Sequence, residues 1–108
     1  MKFSDIPFCE SGRMDRPGLG LYLPGGYWLG KKTFEMAWKQ VNKGLPAAGG
    51  TAKHTARSMC GENFWLDHTF GQQIGFGRCI KYYADQGLLP LTETNKRKKG
   101  SRQYARNN

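Results

Sequence analysis

Apolar positions change rhythm along the chain, and each rhythm predicts a different element. Leu19, Leu21 and Leu23 alternate with Gly20 and Tyr22, the period of two expected of a strand with one buried face. Pro24-Gly25 fits the central pair of a type II turn, because proline presets φ and glycine tolerates positive φ. Tyr27-Trp28-Leu29 then returns as the partner strand. From about Thr33 to Lys43 the period lengthens: Phe34, Trp38 and Val41 recur at i, i+4 and i+7, one apolar stripe on a helix. Gly44 sits where a C-terminal cap belongs, and Leu45-Pro46 breaks the chain. A second helix is predicted from near Thr51 to about Cys60, with Ala52, Ala56 and Met59 on one side and Gly61 as its stop. Residues 61–68 connect onward, with Phe64-Trp65 tucked under the core.

The third helix carries the clearest signals. Thr69 is a natural N-cap, and Gln72 three residues later completes a capping-box pattern. Phe76, Ile80, Tyr83 and Gly87 fall on one side with Cys79 beside them. Gly87-Leu88 matches a helix ending in a left-handed glycine with an apolar contact behind it. Gly71, Gly75 and Gly77 oppose the first turns, each by about 1 kcal/mol relative to alanine. Two starts therefore stay open, the Thr69 cap and a later one near Gly75 or Gly77, with Arg78 to Gln86 as the firm part of the helix. Leu88 to Thr94 is an extended run, Asn95 to Gly100 a basic loop, and Ser101 to Arg106 a returning strand, together a hairpin. The same charge density also fits a disordered basic tail.

A chain of 108 residues has room for one domain with one modest core. The expected fold is a small α+β domain of three helices followed by a basic C-terminal β-hairpin. Residues 1–30 form an N-terminal arm or hairpin, residues 31–95 the helical core, and residues 96–108 a basic wing or tail.

Charge adds a candidate partner. The net charge is +9, and it is unevenly placed: residues 1–30 hold three basic and three acidic side chains, residues 31–108 fourteen basic and five acidic. The stretch from Lys96 to Asn108 carries six positive charges and no acid. Such asymmetry points to a polyanion, or else to a solvated face that only aids solubility. The opening residues lack the apolar core of a signal peptide, and the longest apolar runs are far short of a membrane span. With Cys9, Cys60 and Cys79 at no framework spacing, free thiols in a reducing cytoplasm are the expectation, with no membrane association.

Candidate chemistry is sparse. Five glycines lie between Gly18 and Gly30, but without a Gly-Lys-Ser/Thr or GxGxxG pattern they fit a hairpin better than a phosphate cradle. His54, His68 and the three cysteines show no CxxC or CxxH pair, so zinc is not supported and no cofactor is expected. Nothing links a cysteine to a histidine as an activated nucleophile, and the eight acids form no acid–base pair on a recognisable element. The expectation is a protein that is not an enzyme.

Helix, helix, turn, helix and basic hairpin is the order of a winged helix-turn-helix domain, and residues 31–106 resemble that superfamily. The resemblance rests most on Arg78-Cys79-Ile80-Lys81-Tyr82-Tyr83-Ala84-Asp85-Gln86-Gly87-Leu88-Leu89, similar to a recognition-helix end and strand entry before a wing. The 61–69 connection departs from the pattern by its length, and the glycines at the start of the third helix depart from it as well. The resemblance implies a helix in a DNA major groove with its N-terminal residues at base edges. Gln72 and Gln73 would then face adenine, and Arg78 and Lys81 bases or phosphates further along. Lys96, Arg97, Lys98, Lys99, Arg102 and Arg106 would neutralise phosphates. The expected function is binding of nucleic acid, duplex DNA first, as a regulator or as an accessory factor in replication or recombination; a homodimer would suit a palindromic site. Two alternatives stay open. One is RNA or ribosome binding, with Trp28, Tyr82 and Tyr104 stacking on unpaired bases. The other is a protein-interaction module acting on an acidic partner, with Phe3, Tyr27 and Trp28 as anchors.

Overall fold

The computed structural model describes residues 2–10, 18–44, 53–98 and 101–106. Among the described residues, a single 3-10 turn (Phe3–Asp5) precedes four α-helices and two small antiparallel sheets that pack around one core, in the order β1 (Cys9–Glu10), β2 (Leu19–Leu23), β3 (Tyr27–Gly30), α1 (Lys31–Gly44), β4 (Lys53–His54), α2 (Ala56–Cys60), α3 (Glu62–Leu66), α4 (Phe70–Asp85), β5 (Leu91–Lys98) and β6 (Ser101–Arg106). The α+β class follows from that order.

The first sheet runs β1-β2-β3, with Leu21 opposite Leu29 and Leu23 opposite Tyr27. Its hairpin turn is the expected one: Gly26 N–H donates to the Leu23 carbonyl at 3.0 Å and Gly25 sits at φ 91°, the left-handed position of a type II turn. Leu21, Leu23 and Leu29 face the core, whereas Leu19 is 44% exposed, so the buried alternation covers two leucines rather than three. The N-terminal segment is no free arm. Ile6 is buried, and Phe3 packs tilted against Trp38 and Phe8 edge-on against Phe34 of α1, at ring-centroid distances of 5.1 and 5.3 Å.

Helix α1 buries Phe34, Ala37 and Val41 against α4, which buries Phe76, Cys79, Ile80 and Tyr83. The Tyr83 hydroxyl donates to the Phe34 carbonyl, so this buried polar group is satisfied across the helix pair. At the end of α1 a Cβ on Gly44 would lie 1.7 Å from the Met59 carbonyl oxygen; only glycine lets the end of α1 meet α2 backbone to backbone. Gln40 reinforces the contact by donating to the Cys60 carbonyl at 2.9 Å, one of the carbonyls a helix C-terminus leaves without an internal partner.

The second predicted helix is shorter than its pattern. Residues 53–54 are strand, and α2 begins after Thr55, whose hydroxyl accepts from Ser58 N–H at 3.2 Å while Ser58 Oγ accepts from Thr55 N–H at 2.8 Å. The predicted start at Thr51 and the break at Leu45-Pro46 lie outside the described residues. The 61–69 connection contains the helix α3, which the sequence pattern did not reveal; Phe64 and Trp65 are half-buried against the core, as expected.

Helix α4 starts at Phe70, directly after the expected Thr69 cap, and not at the later alternative near Gly75 or Gly77. The reason is the cap: Gln72 Oε1 accepts from Thr69 N–H at 2.8 Å, and Thr69 Oγ1 accepts from Gln72 N–H at 3.2 Å. Two satisfied donors, with the packing of Gly75 against Leu29, offset the glycine cost. The helix ends as predicted, with Gly87 at φ 73°, Leu88 N–H bonded to the Tyr83 carbonyl at 2.8 Å and Gly87 N–H to the Ala84 carbonyl at 3.2 Å. These are the paired bonds of a Schellman cap.

The second sheet has the order β4-β6-β5. Leu91 pairs with Arg106 and Glu93 with Tyr104; beyond a bulge, Arg97 pairs with Arg102 and Lys98 with Ser101. Thr94, Asn95 and Lys96 thus stand against Gln103 alone, and this surplus on one strand bends and twists a hairpin. The residues from Asn95 to Lys98 are strand rather than the predicted loop, and residues 99 and 100 lie outside the described residues. Tyr104, at the centre of β6, is 1% exposed.

Candidate nucleic-acid interface

A carboxylate joins the C-terminal half of α4 to the β5–β6 hairpin. Glu93 on β5 accepts from Lys81 Nζ of α4 at 3.3 Å through Oε1, and its Oε2 lies 3.7 Å from Arg102 Nε on β6. Lys81 also bonds Asp85 one turn on at 3.0 Å. That hydrogen bond, with help from Glu93 and against partial desolvation, holds the Lys81 ammonium above its ordinary range. Two of the predicted cations are therefore brought together, each sharing an acid.

Arg78 is placed differently. Its guanidinium lies over the Tyr27 ring at 4.0 Å from the centroid, a cation–π contact that fastens α4 to the β2–β3 hairpin. Its Nε is buried without a hydrogen-bond partner among the described residues. The backbone of Lys96, Arg97, Lys98 and Arg106 is strand, while their side chains, and the whole of Lys99, lie outside the described residues.

Both glutamines use part of their amide inside the fold. Gln72 uses its carbonyl oxygen in the cap of α4. Gln73 is half-buried and donates through Nε2 to the Trp65 carbonyl at 2.7 Å and the His68 carbonyl at 3.2 Å, tying α3 to α4. The face that α4 turns to solvent carries other residues: Phe70 at 77% exposure and Ile74 at 37%, followed by the half-buried Gly77 and Lys81, with Leu66 at the end of α3 at 63%, whereas Arg78 turns to Tyr27. Positions 70, 74 and 81 lie on the side of a 3.6-residue helix opposite Phe76, Ile80 and Tyr83. Sequence reasoning missed Phe70 and Ile74. Once the capping box fixed the frame, their spacing of four, off the buried stripe, was the signal for them.

Comparison with known proteins adds no relative. No family model, curated protein or solved structure gives a significant match to this chain.

The aromatic residues considered for stacking or anchoring are mostly engaged. Tyr104 is buried, which removes it as a stacking platform; Phe3 packs on Trp38, and Trp28 is half-buried against Tyr22 at 4.8 Å. Tyr27 is exposed on one side and covered by Arg78 on the other.

Elsewhere a cleft of about 390 Å³ lies among Gln40, Lys43, His54, Ser58 and Cys60. Burial pushes the Cys60 thiol from an ordinary 9.0 up to about 12, and Cys79 is raised by burial as well, with Cys60 adding to the effect. Thiols held protonated at neutral pH are poor nucleophiles. Among the described residues no three His, Cys, Asp or Glu side chains gather as a metal site. No helix of the described residues is long and apolar enough to cross a membrane.

Proposed function

We propose that this protein binds duplex DNA as a small winged-helix-like factor, with α4 directed at the major groove and the β5–β6 hairpin alongside the backbone. One observation supports the reading: the Lys81–Glu93–Arg102 bridge, which ties the C-terminal half of α4 to the β5–β6 hairpin. The helix order, followed by a hairpin whose returning strand is clamped by β4, supports it further. Strand pairing of β5 with β6 holds the backbone of 96–98 in place, and phosphate neutralisation from a fixed place costs less ordering than from a loose tail. Arg78 and Lys81 sit on the helix, with Arg102 and the 96–99 segment on or beside the hairpin. About six phosphate contacts would give a log–log salt slope on the order of −5.

Fluorescence anisotropy with a labelled duplex at several salt concentrations tests the reading. The intact chain is expected to bind tightly at low salt and to weaken steeply as salt rises. A Lys96/Arg97/Lys98/Lys99→Ala variant with an unchanged circular dichroism spectrum is expected to lose affinity and to show a slope shallower by about 3.6. A folded protein that ignores duplex DNA at low salt would overturn the reading. Preference for single-stranded RNA in a competition assay would move it to the RNA alternative.

A further inference from the structure

Arg78 is held without an acid. Arg57 is bonded to Glu62, and Arg102 adjoins Glu93, whereas Arg78 makes no ion pair and no hydrogen bond among the described residues. Its support is the face of the Tyr27 ring, 4.0 Å from the guanidinium carbon. Such stacking occupies the face of the planar guanidinium and leaves its edge, where the N–H donors point, for other partners. Nε is buried without a partner, an unmet donor that a surface arginine avoids by swinging into water. The terminal nitrogens Nη1 and Nη2 are neither bonded nor buried, so the end of the fork stays open on a half-buried side chain.

The placement of this fork limits what it meets. Gly75 packs on Leu29 of β3, and Arg78, three residues on, reaches Tyr27 of the same strand. This side of α4 therefore faces the β2–β3 hairpin, and Arg78 stands at the flank of the outward face rather than at its centre. A helix seated in a major groove meets base edges along its centre and the phosphate backbone at its flanks. The two anionic oxygens of a phosphodiester match the spacing of two guanidinium N–H donors, a bidentate geometry that a lysine does not reproduce.

We infer that Tyr27 is a positioning residue, whose ring holds the Arg78 guanidinium so that Nη1 and Nη2 bond bidentately to one phosphate of the DNA backbone. The inference rests on the duplex-DNA reading above and gives that site a residue from the N-terminal thirty, whose balanced charge offers a polyanion nothing by itself. A free arginine loses much rotamer freedom when it grips a phosphate; one already held against a ring has less to lose. Tyr27 is in turn fixed by its strand, opposite Leu23 across the β2–β3 hairpin.

The test is anisotropy with a labelled duplex at several salt concentrations, on full-length variants checked by circular dichroism. Arg78→Gln is expected to weaken binding about tenfold and to make the log–log salt slope shallower by about 0.9, the share of one phosphate. Arg78→Lys keeps the charge and loses the fork, so it is expected to weaken binding at an unchanged slope. Tyr27→Leu removes only the ring and is expected to weaken binding about threefold, again at an unchanged slope. Tyr27→Phe keeps the ring and is expected to bind as the wild type does. Wild-type affinity and slope in Arg78→Gln, with steep salt dependence retained, would overturn the inference and leave the DNA reading standing. Equal losses in Tyr27→Leu and Tyr27→Phe would do the same, because the ring face would not be what matters. No duplex binding by the wild-type protein would overturn both readings. Saturable binding of inorganic phosphate in that case, lost in Arg78→Gln, would assign the fork to a small ligand instead.

Discussion

Glu93 is one carboxylate against two cations, Lys81 at 3.3 Å and Arg102 at 3.7 Å. All three side chains are between a quarter and two-fifths exposed, so each contact contributes little to folding, at most about 1 kcal/mol. Their effect on a polyanion is larger, because an acid on the binding face repels phosphate and occupies cations that would otherwise meet it. Glu93→Gln is therefore expected to tighten duplex binding at low salt and to steepen the salt slope by about 1, while the unfolding free energy moves by less than about 1 kcal/mol. Anisotropy at several salt concentrations and a urea titration check the two halves. Unchanged or weaker binding would mean that Glu93 is needed to orient Lys81 and Arg102. The sequence showed which residues are basic but not which are already paired: Glu93 and Lys81 lie twelve positions apart and meet only because α4 turns back through Gly87 into β5.

At the scale of elements, legibility followed the range of the forces involved. The β2–β3 hairpin, α1 and the end of α4 are written in local signals: a Pro-Gly turn, an apolar stripe, a left-handed glycine. Strand β4 is two residues long and exists by pairing with β6, His54 opposite Tyr104; no local pattern could announce a partner fifty positions away. The start of α4 was legible in the Thr69–Gln72 capping box, whose two bonds satisfy donors that propensity scales ignore; only the propensity of the three glycines argued for a later start. The same cap occupies the Gln72 carbonyl oxygen. The two kinds of helical glycine can be separated experimentally. Gly77→Ala, whose added methyl meets nothing, is expected to stabilise the fold by about 0.5–1 kcal/mol and, if the duplex approaches this face, to weaken DNA binding. Gly44→Ala would press a methyl into the Met59 carbonyl and is expected to destabilise by about 1–3 kcal/mol. Denaturation midpoints of the two variants should therefore move in opposite directions.

The whole molecule is more unified than its charge distribution implied. A neutral first thirty residues and a basic remainder read as an arm beside a core, yet Ile6, Leu21, Leu23 and Leu29 belong to the same buried cluster as Phe34, Ile80 and Tyr104. Small domains bury too little surface to spare such a contribution. Ile6→Ala, at a side chain 5% exposed, is expected to cost about 2–4 kcal/mol and to lower one cooperative transition seen equally by tryptophan fluorescence and far-ultraviolet circular dichroism. Two separated transitions would show an independent N-terminal unit. Charge marks the face a protein offers to its surroundings; the apolar positions, wherever they fall in the chain, decide what folds together.

The strand order β4-β6-β5 also sets a timetable. β6 follows both of its neighbours in the chain, and β4 and β5 touch it rather than each other. While the polypeptide is being made, neither earlier strand has its partner until residues 101–106 have left the ribosome. The helices can assemble first, with the second sheet closing last around Tyr104. A nascent chain arrested before Ser101 would expose Leu91 and the unpaired edges of both waiting strands, a state suited to chaperone capture.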